Sequence, residues 1–171
     1  MHFVFTGPES SGKTTLTNLA YKNWGGVLVK EAARDFLTAA NGFYQFSDLK
    51  AIALRQLDSE VNPEAKNSYI WCDTDLLTII IWSLDKFGTV DPEILLKWEN
   101  LPKDDRFYFL CFPDVPWEYD SLRENPLDRN RIYEIYQQYL HDYNLSYQIL
   151  KGELNKRLTA VEDTFLQYVN I

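Results

Sequence analysis

Short apolar runs alternate along the chain with longer segments whose apolar residues recur every three or four positions. The short runs are rich in β-branched and aromatic residues, as buried strands are, and the longer segments have the period of amphipathic helices. This alternation predicts an α/β fold in which a five-stranded, mainly parallel sheet carries helices on both faces. The predicted strands are HFVFT (2–6), GVLV (26–29), SYIWC (68–72), RFYFLC (106–111) and SYQIL (146–150).

Capping residues and apolar stripes indicate where the helices lie. Ser47, Asp75 and Asp91 are predicted N-caps. Pro63 is expected to end or kink the helix that begins near Asp48. Three other helices have clear apolar stripes, namely Leu16, Leu19 and Ala20 in the first, Ile132, Ile135, Tyr136, Tyr139 and Leu140 in the helix near 131–143, and Leu158, Val161, Phe165 and Val169 in the last.

The segment LLTIIIWSLDKF (76–87) is apolar nearly all round. Such a helix is either fully buried or offers one face to a partner subunit, and we expect burial. The second alternative leaves a homo-oligomer open. No internal repeat, low-complexity tract or linker interrupts the chain, so residues 1–171 are expected to form a single domain.

Residues 7–14 read GPESSGKT and directly follow the first predicted strand. This is the pattern of a P-loop, in which glycines let the backbone turn so that successive N–H groups surround a phosphate. Lys13 would neutralise the β and γ oxygens of a nucleoside triphosphate, and Thr14 would offer its hydroxyl to Mg²⁺. The alternative is an ordinary glycine-containing surface turn. The predicted nucleotide-binding residues are Gly7, Pro8, Glu9, Ser10, Ser11, Gly12, Lys13, Thr14 and Thr15.

Acidic side chains follow the second and third predicted strands. Ligands of parallel sheets bind at the carboxyl ends of the strands, so Glu31, Arg34 and Asp73 are candidate site residues. Asp73 follows an apolar strand, as a Mg²⁺-linked carboxylate of a P-loop protein does, and forms the predicted metal site with Thr14. A helix cap is the alternative for Asp73. Asp73 or Glu31 is the candidate general base, with a metal-shell role or plain solvent exposure left open for Glu31, and Arg34 is a candidate for substrate binding.

A segment that mixes acids, aromatics and arginines, FPDVPWEYDSLRENPLDRNR (112–131), follows the fourth strand. Arginines delivered by a closing segment stabilise the charge on a transferring phosphoryl group. Arg123, Arg129 and Arg131 are therefore predicted catalytic lid residues. A solvated charged loop is the alternative.

The same segment supplies candidates for substrate binding. A tryptophan offers a stacking surface, although a core position is the alternative for this one. Gly152, in the turn before the last helix, is a candidate for the adenine side of the nucleotide site. The predicted acceptor-binding residues of the segment are Asp114, Trp117, Asp120 and Arg123.

Composition and charge limit the class of partner. The net charge of −8 argues against nucleic acid or an anionic membrane surface, because both select clustered Lys and Arg. Cys72 and Cys111 lie in apolar runs, so we expect buried free thiols and a reducing compartment. The first strand begins at His2, and no apolar run approaches the ~20 residues of a membrane span. The protein is therefore expected to be cytoplasmic, with a small molecule as its partner.

Other sequence features separate the classes of P-loop protein. The pair Asn155 and Lys156 is followed by Arg157, so the aspartate of a guanine-reading motif is missing and a GTPase is disfavoured. The chain also lacks the signature segments or the lid domain of ABC and AAA+ motors. A compact kinase for a small molecule is the interpretation that the residues favour.

Four blocks, GPESSGKTTL, EAARDFL, CDTD and PDVPWEYDSLR, resemble the ribosylnicotinamide kinase domain of NadR-type NAD-biosynthesis proteins and its stand-alone relatives, often grouped as NadR-like AAA-type ATPases. The resemblance extends from the first strand to the last helix and implies a P-loop kinase fold. It also implies transfer of the ATP γ-phosphate to the 5′-hydroxyl of nicotinamide riboside, which gives nicotinamide mononucleotide. The sequence departs from the family pattern in lacking an adenylyltransferase domain and a DNA-binding region, and in having Ser121 where the family tends to have glycine.

The leading hypothesis is therefore an ATP- and Mg²⁺-dependent nucleoside kinase, with nicotinamide riboside as the acceptor that the resemblance implies. The pyridinium ring of this acceptor is a cation, which the face of Trp117 with the carboxylate of Asp114 or Asp120 would receive. Two alternatives stay open. One is a kinase for another nucleoside or small metabolite, and the other is a binding module switched by ATP, for which the apolar helix at 76–87 is the motive.

Overall fold

The protein folds around a five-stranded sheet in which every neighbouring pair of strands is parallel. The computed structural model describes residues 1–61, 69–123 and 127–169. The strand order is β2-β3-β1-β4-β5, so β1 lies at the centre between β3 and β4. This confirms the predicted α/β class and the predicted sheet. The strands are β1 His2–Thr6, β2 Val27–Val29, β3 Ile70–Asp73, β4 Arg106–Cys111 and β5 Tyr147–Leu150.

The second and third strands begin later than the sequence pattern predicts. Gly26 has a left-handed φ of +94°, and a Cβ there would lie 2.5 Å from the carbonyl oxygen of Tyr69, so β2 begins at Val27. Ser68, the predicted start of the third strand, lies outside the described residues. Asp73 is the last residue of β3 and is only 5% exposed, which keeps its carboxylate close to the sheet.

Seven helices of the described residues cover the two faces of the sheet. Side chains alternate along each strand, so Phe3 and Phe5 pack against α1 and α7 on one face, while Val4 packs on the opposite face. That opposite face is covered by α2 to α6. The helices are α1 Lys13–Trp24, α2 Ala32–Ala39, α3 Phe46–Glu60, α4 Leu76–Phe87, α5 Pro92–Glu99, α6 Arg129–Asp142 and α7 Leu154–Val169.

Two of the three predicted N-caps are confirmed. Asp75 accepts a hydrogen bond from the Leu77 N–H at 3.0 Å, and Asp91 caps α5 in the same way. The prediction for Ser47 is wrong, because α3 begins one residue earlier and the N-cap is Gln45. The Asp48 carboxylate accepts the Gln45 N–H at 2.7 Å as part of a reciprocal capping box. Pro63 lies outside the described residues.

The apolar helix α4 is buried within the chain, as predicted. Leu76, Leu77 and Ile80 are fully buried, and α4 packs between α3, α5 and α6. Both cysteines are buried free thiols. None of the described helices has the length and apolar character that a membrane crossing needs.

Candidate active site

The P-loop connects β1 to α1 and has the backbone geometry that its glycines permit. Gly7 has a φ of +127°, and a Cβ there would lie 2.7 Å from the carbonyl oxygen of Cys111. Gly12 has a φ of +88° and directly precedes the first turn of α1. Both positions therefore require glycine, the first because of a close approach to β4 and the second because of its left-handed backbone.

The loop is held by its own side chains. The Lys13 ammonium donates to the carbonyl oxygens of Gly7 at 3.0 Å and Pro8 at 2.8 Å, and the Ser11 hydroxyl donates to Pro8 at 2.7 Å. The N-terminus of α1 begins at Lys13, so its unpaired N–H groups and positive end face the interior of the loop. This arrangement suits an anion as large as a phosphate chain.

Arg157, near the start of α7, braces the loop from behind. Its guanidinium is 2% exposed and donates to the Ser11 carbonyl oxygen at 2.8 Å and to the Phe112 carbonyl oxygen at 3.0 Å. Sequence reasoning used Arg157 only to exclude a GTPase. Its position, one turn into a helix that follows β5, was the available signal, but the sequence does not reveal which loop such a residue reaches.

Asp114 and Gly152 belong to this brace, and the structure corrects the role predicted for each. The Asp114 carboxylate pairs with the Arg157 guanidinium and accepts the Gly152 N–H at 2.6 Å. The Gly152 carbonyl oxygen accepts the Arg157 Nε–H at 2.8 Å. Asp114 is therefore occupied in joining the end of β4 to α7, away from the acceptor position that its sequence context indicated.

Asp73 and Thr14 form the part of the site that could hold a divalent cation. The Thr14 hydroxyl hydrogen-bonds the Asp73 carboxylate, whose pKa is raised by burial. The second carboxylate oxygen, Oδ1, is buried and has no hydrogen-bond partner in the described part of the chain. A buried oxygen with no partner beside a P-loop hydroxyl is a donor set that fits Mg²⁺. No group of three or more His, Cys, Asp or Glu within residues 1–61, 69–123 and 127–169 forms a cage, so phosphate oxygens and water would complete the coordination.

Glu31 stands at the N-cap position of α2, and its side chain is 25% exposed. Glu31 lines both the large cleft beside the P-loop and a smaller hollow of about 260 Å³, whereas Asp73 lines only the smaller hollow of these two. Burial raises the pKa of the Glu31 carboxyl, and the Asp73 carboxylate raises it further. Of the two candidate bases, Glu31 is the one in contact with the cleft.

The cleft has a volume of about 430 Å³ and lies between the P-loop, α2, α4 and α6. The P-loop forms the polar end. Apolar side chains from three helices form the opposite wall, which suits the flat, partly apolar body of a nucleoside. These wall residues are Ala33, Leu37, Ile81, Trp82, Ile132 and Tyr136.

The segment 114–123 closes on the P-loop at Ser10. The Ser10 hydroxyl accepts the Glu118 N–H at 3.2 Å and an Arg123 N–H at 3.3 Å, and its carbonyl oxygen accepts an Arg129 N–H at 3.0 Å. Ser10 itself has a left-handed φ of +51°. The structure thus brings two of the three predicted lid arginines to the phosphate-binding loop, and Arg123 lines the cleft.

The other predicted lid residues have different contacts. Arg131 is 50% exposed and pairs with Asp85 at 2.6 Å and with Asp128 at 3.0 Å, so the structure places it beside Asp85 and its predicted catalytic role stays a prediction. The Trp117 ring lies 5.7 Å from the guanidinium carbons of Arg123 and Arg129. Trp117 is not among the described residues that line the cleft, so the structure places its ring beside the two arginines, and its acceptor contact stays a prediction.

Asp120 and Arg34 form an ion pair at the mouth of the cleft. The Arg34 guanidinium lines the cleft and donates to the Asp120 carboxylate at 3.1 Å. Asp120 is not a lining residue of the cleft itself, so the structure places it with the arginines, and its contact with the acceptor stays a prediction.

Sequence reasoning missed the polar and aromatic residues that α4 and α6 bring to the cleft. The Thr78 hydroxyl lies 3.4 Å from the Thr6 hydroxyl, directly before the P-loop, and the Tyr136 hydroxyl hydrogen-bonds both threonines. Trp82 and Asp85 follow on the same helix and line the cleft. The sequence of α4 is apolar nearly all round, so nothing in it indicated that its few polar residues line a cleft.

Comparison with known proteins agrees with this architecture. The sequence family AAA_28, described as an AAA domain, matches residues 2–157. The chain belongs to this family. No curated protein matches the chain significantly.

The fold of this AAA domain is also that of NadR. It superposes on NadR in complex with NAD and AMP-PNP with a TM-score of 0.66 and 19% sequence identity, covering 94% of this chain and 47% of NadR. The NadR complex with NR gives a TM-score of 0.68 at 19% identity and covers 94% of this chain and 49% of NadR. This AAA domain therefore spans about half the length of the NadR chains that it matches.

Proposed function

We propose that the protein is an ATP-dependent kinase that phosphorylates the 5′-hydroxyl of nicotinamide riboside. One observation carries the proposal: the P-loop and the Glu31 carboxylate open onto the same cleft of about 430 Å³, whose far wall is apolar and aromatic. A donor site, a base and an acceptor site thereby meet in one space. The NadR structures with AMP-PNP and with NR have the same fold and support this choice of donor and acceptor.

The donor end would use the P-loop in the way its geometry allows. The loop N–H groups and Lys13 would bind the β- and γ-phosphates, and Lys13 would exchange its present carbonyl partners for phosphate oxygens. Thr14 and Asp73 would hold Mg²⁺, which in such sites neutralises charge on the β- and γ-oxygens. Arg123 and Arg129 reach Ser10 of the same loop and would stabilise charge on the transferring group.

Glu31 would act as the general base. Its carboxylate would accept the proton of the acceptor hydroxyl as the oxygen bonds to the γ-phosphorus and the bond to the β–γ bridging oxygen breaks, releasing ADP. Burial and the neighbouring Asp73 raise the Glu31 pKa, which makes the carboxylate a stronger base than an exposed glutamate.

Helix α4 would bind the nucleobase end of the acceptor. Thr78 touches the residue before the P-loop, and Trp82 and Asp85 lie about 6 Å and about 10 Å further along the helix axis. The cleft therefore has cationic side chains at the phosphate end and a carboxylate at the other. A pyridinium ring matches Trp82 and Asp85 in charge, and the Asp85 carboxylate would be shared between the ring and its present partner, Arg131.

Steady-state release of ADP, measured with ATP, Mg²⁺ and a panel of nucleosides, tests the proposal. We expect nicotinamide riboside to give the highest turnover, Lys13→Ala to abolish it, and Glu31→Gln to lower kcat by about 100-fold or more. Lys22→Ala is the control. Lys22 is an exposed residue of α1, the helix that begins at Lys13, and the variant should behave as wild type. ADP release that no nucleoside accelerates, from protein that still binds ATP, would contradict the proposal.

Two other functions were left open by the sequence. A kinase for a different nucleoside shares every step above and is distinguished by the same panel. The ATP-switched binding module was suggested by an apolar helix that could have contacted a partner. That helix is buried within the chain, so it no longer supports this function.

A further inference from the structure

A chain of alternating charges crosses the mouth of the cleft from α2 to the P-loop. It begins at the candidate base and ends at the loop residue that the segment 114–123 contacts. Each step is an ion pair or a hydrogen bond. The steps are Glu31 Oε2 to Arg34 Nε at 3.8 Å, Arg34 Nη1 to Asp120 Oδ2 at 3.1 Å, Asp120 Oδ2 to Arg123 Nε at 4.0 Å, and Arg123 Nη1 to Ser10 Oγ at 3.3 Å.

Asp120 is the middle of this chain and is fixed independently of the arginines. Its Oδ1 accepts the Leu122 N–H at 3.0 Å, so the carboxylate is anchored to its own segment while Oδ2 faces both guanidinium groups. The Leu122 N–H and Arg34 lower the pKa of Asp120, which keeps it ionised at neutral pH. The side chain is 23% exposed, so the contacts are formed at the border of the cleft and bulk water.

The two arginines come from different elements and need a shared anion to lie side by side. Arg34 belongs to α2, and Arg123 ends the segment 114–123, yet both line the cleft. Two guanidinium groups repel each other where water is partly excluded, and a carboxylate between them removes that repulsion. Without Asp120, Arg34 would keep its longer contact with Glu31, and Arg123 would keep its contacts with the Ser10 hydroxyl, the Glu118 carbonyl oxygen and the Trp117 ring, so no described side chain would join the two arginines.

We propose that Asp120 is a positioning residue that couples nucleotide binding at the P-loop to acceptor binding beside Glu31. Phosphates bound at the P-loop would rearrange Ser10 and Arg123, and this would move Asp120. Asp120 would then move Arg34, and with it the candidate base Glu31. The inference rests on the proposed kinase function and adds to it a thermodynamic link between donor and acceptor, which must be reciprocal.

Asp120→Asn tests this link, with Asp128→Asn as the matched control. Asp128 also pairs with an arginine three positions later, but it is the exposed N-cap residue of α6 and does not line the cleft. The affinity for AMP-PNP is measured by calorimetry with and without saturating nicotinamide riboside. We expect wild type and Asp128→Asn to bind AMP-PNP at least about fivefold more tightly with the acceptor present. In Asp120→Asn this ratio should approach 1, and kcat should fall about tenfold while the KM for ATP changes little.

Asp120→Glu should restore part of the coupling, because it keeps the charge, and thermal unfolding should show that both Asn variants are folded. An unchanged ratio in folded Asp120→Asn, or a wild type that shows no coupling, would overturn the inference while leaving the kinase proposal intact. If the wild type does not phosphorylate nicotinamide riboside, the proposed acceptor fails instead. The coupling ratio is then measured with the nucleoside of the panel that gives the highest turnover, and it should again approach 1 in folded Asp120→Asn and not in Asp128→Asn.

Discussion

Two clusters of acids and arginines in this protein differ in their access to water. The sealed cluster consists of Glu60, Asp75, Arg106 and Tyr108, and its three charged side chains are at most 3% exposed. The mouth cluster consists of Glu31, Arg34, Asp120 and Arg123, whose side chains are between 19% and 46% exposed. The same residue types therefore stabilise the fold in the sealed cluster, where water is excluded. In the mouth cluster, where a ligand can displace water, they can bind that ligand.

The sealed cluster is tightly paired but incompletely satisfied. Arg106 donates to Glu60 at 2.6 Å, and the Tyr108 hydroxyl donates to Asp75 at 2.7 Å. Glu60 Oε1 and Arg106 Nε have no hydrogen-bond partner among the described residues. Burial, only partly offset by Arg106, raises the pKa of Glu60 to about 7. The positive charge of Arg106 therefore only partly compensates for the burial of the carboxyl groups in this cluster, whose role is structural.

Replacing one arginine from each cluster should separate their roles most strongly. Arg106→Met leaves two buried carboxyl groups without their cation and should lower the free energy of unfolding by about 3 to 5 kcal/mol. Arg123→Met, at the mouth, should lower it by less than about 1 kcal/mol and reduce kcat by about 100-fold. Urea unfolding and steady-state kinetics on both variants measure this. Equal loss of stability in the two variants would show that the clusters do not differ as described.

The pH dependence of stability should report Glu60. An unfolded glutamate ionises near pH 4.5 and the folded Glu60 near pH 7, so the folded state binds more protons between these values. The free energy of unfolding should therefore fall as the pH rises from about 5 to about 7, by at most about 3 kcal/mol from this group. Glu60→Gln should flatten that part of the profile. Glu118→Gln, an exposed control, should leave it unchanged, and a slope that persists in Glu60→Gln would assign it to another group.

Replacing Trp82 or Trp117 should give the smallest of the expected effects, and the two variants should differ in which kinetic constant changes. Trp82→Ala should raise the KM for nicotinamide riboside about tenfold with little change in the KM for ATP, because it removes the aromatic wall of the cleft. Trp117→Ala should instead lower kcat a few-fold through Arg123 and Arg129 and leave the acceptor KM unchanged. The reverse result would return Trp117 to the acceptor site.

Local patterns were sufficient to predict most of the fold. Short apolar runs located all five strands, and a longer segment that is apolar nearly all round located the buried helix α4, because burial on both faces of a parallel sheet leaves a direct mark on the sequence. Ser47 failed as a cap because glutamine is an unusual N-cap and the capping box depends on the reciprocal contact with Asp48. Such a contact depends on backbone geometry as well as on residue type.

The site was predictable at the P-loop and unpredictable at its walls. The spacing of Gly7, Gly12 and Lys13 records a local backbone requirement, so a pattern of eight residues predicts it. Asp114 was assigned from its nearness to a strand end and Arg131 from its place in an arginine-bearing segment, but their partners, Arg157 and Asp85, lie on helices that only the tertiary fold brings close. Trp82 was not predicted as a cleft residue, because an aromatic residue in an apolar helix is typical of the protein core.

Arg157 lies 146 positions after Ser11, the P-loop residue whose carbonyl oxygen it binds. A ribosome therefore makes the loop long before it makes the side chain that braces it. A nascent or proteolytically shortened chain without α7 contains the complete P-loop sequence but lacks the rigid support that tight binding requires. We therefore expect a chain without α7 to bind nucleotide more weakly than the whole chain, although its P-loop sequence is complete.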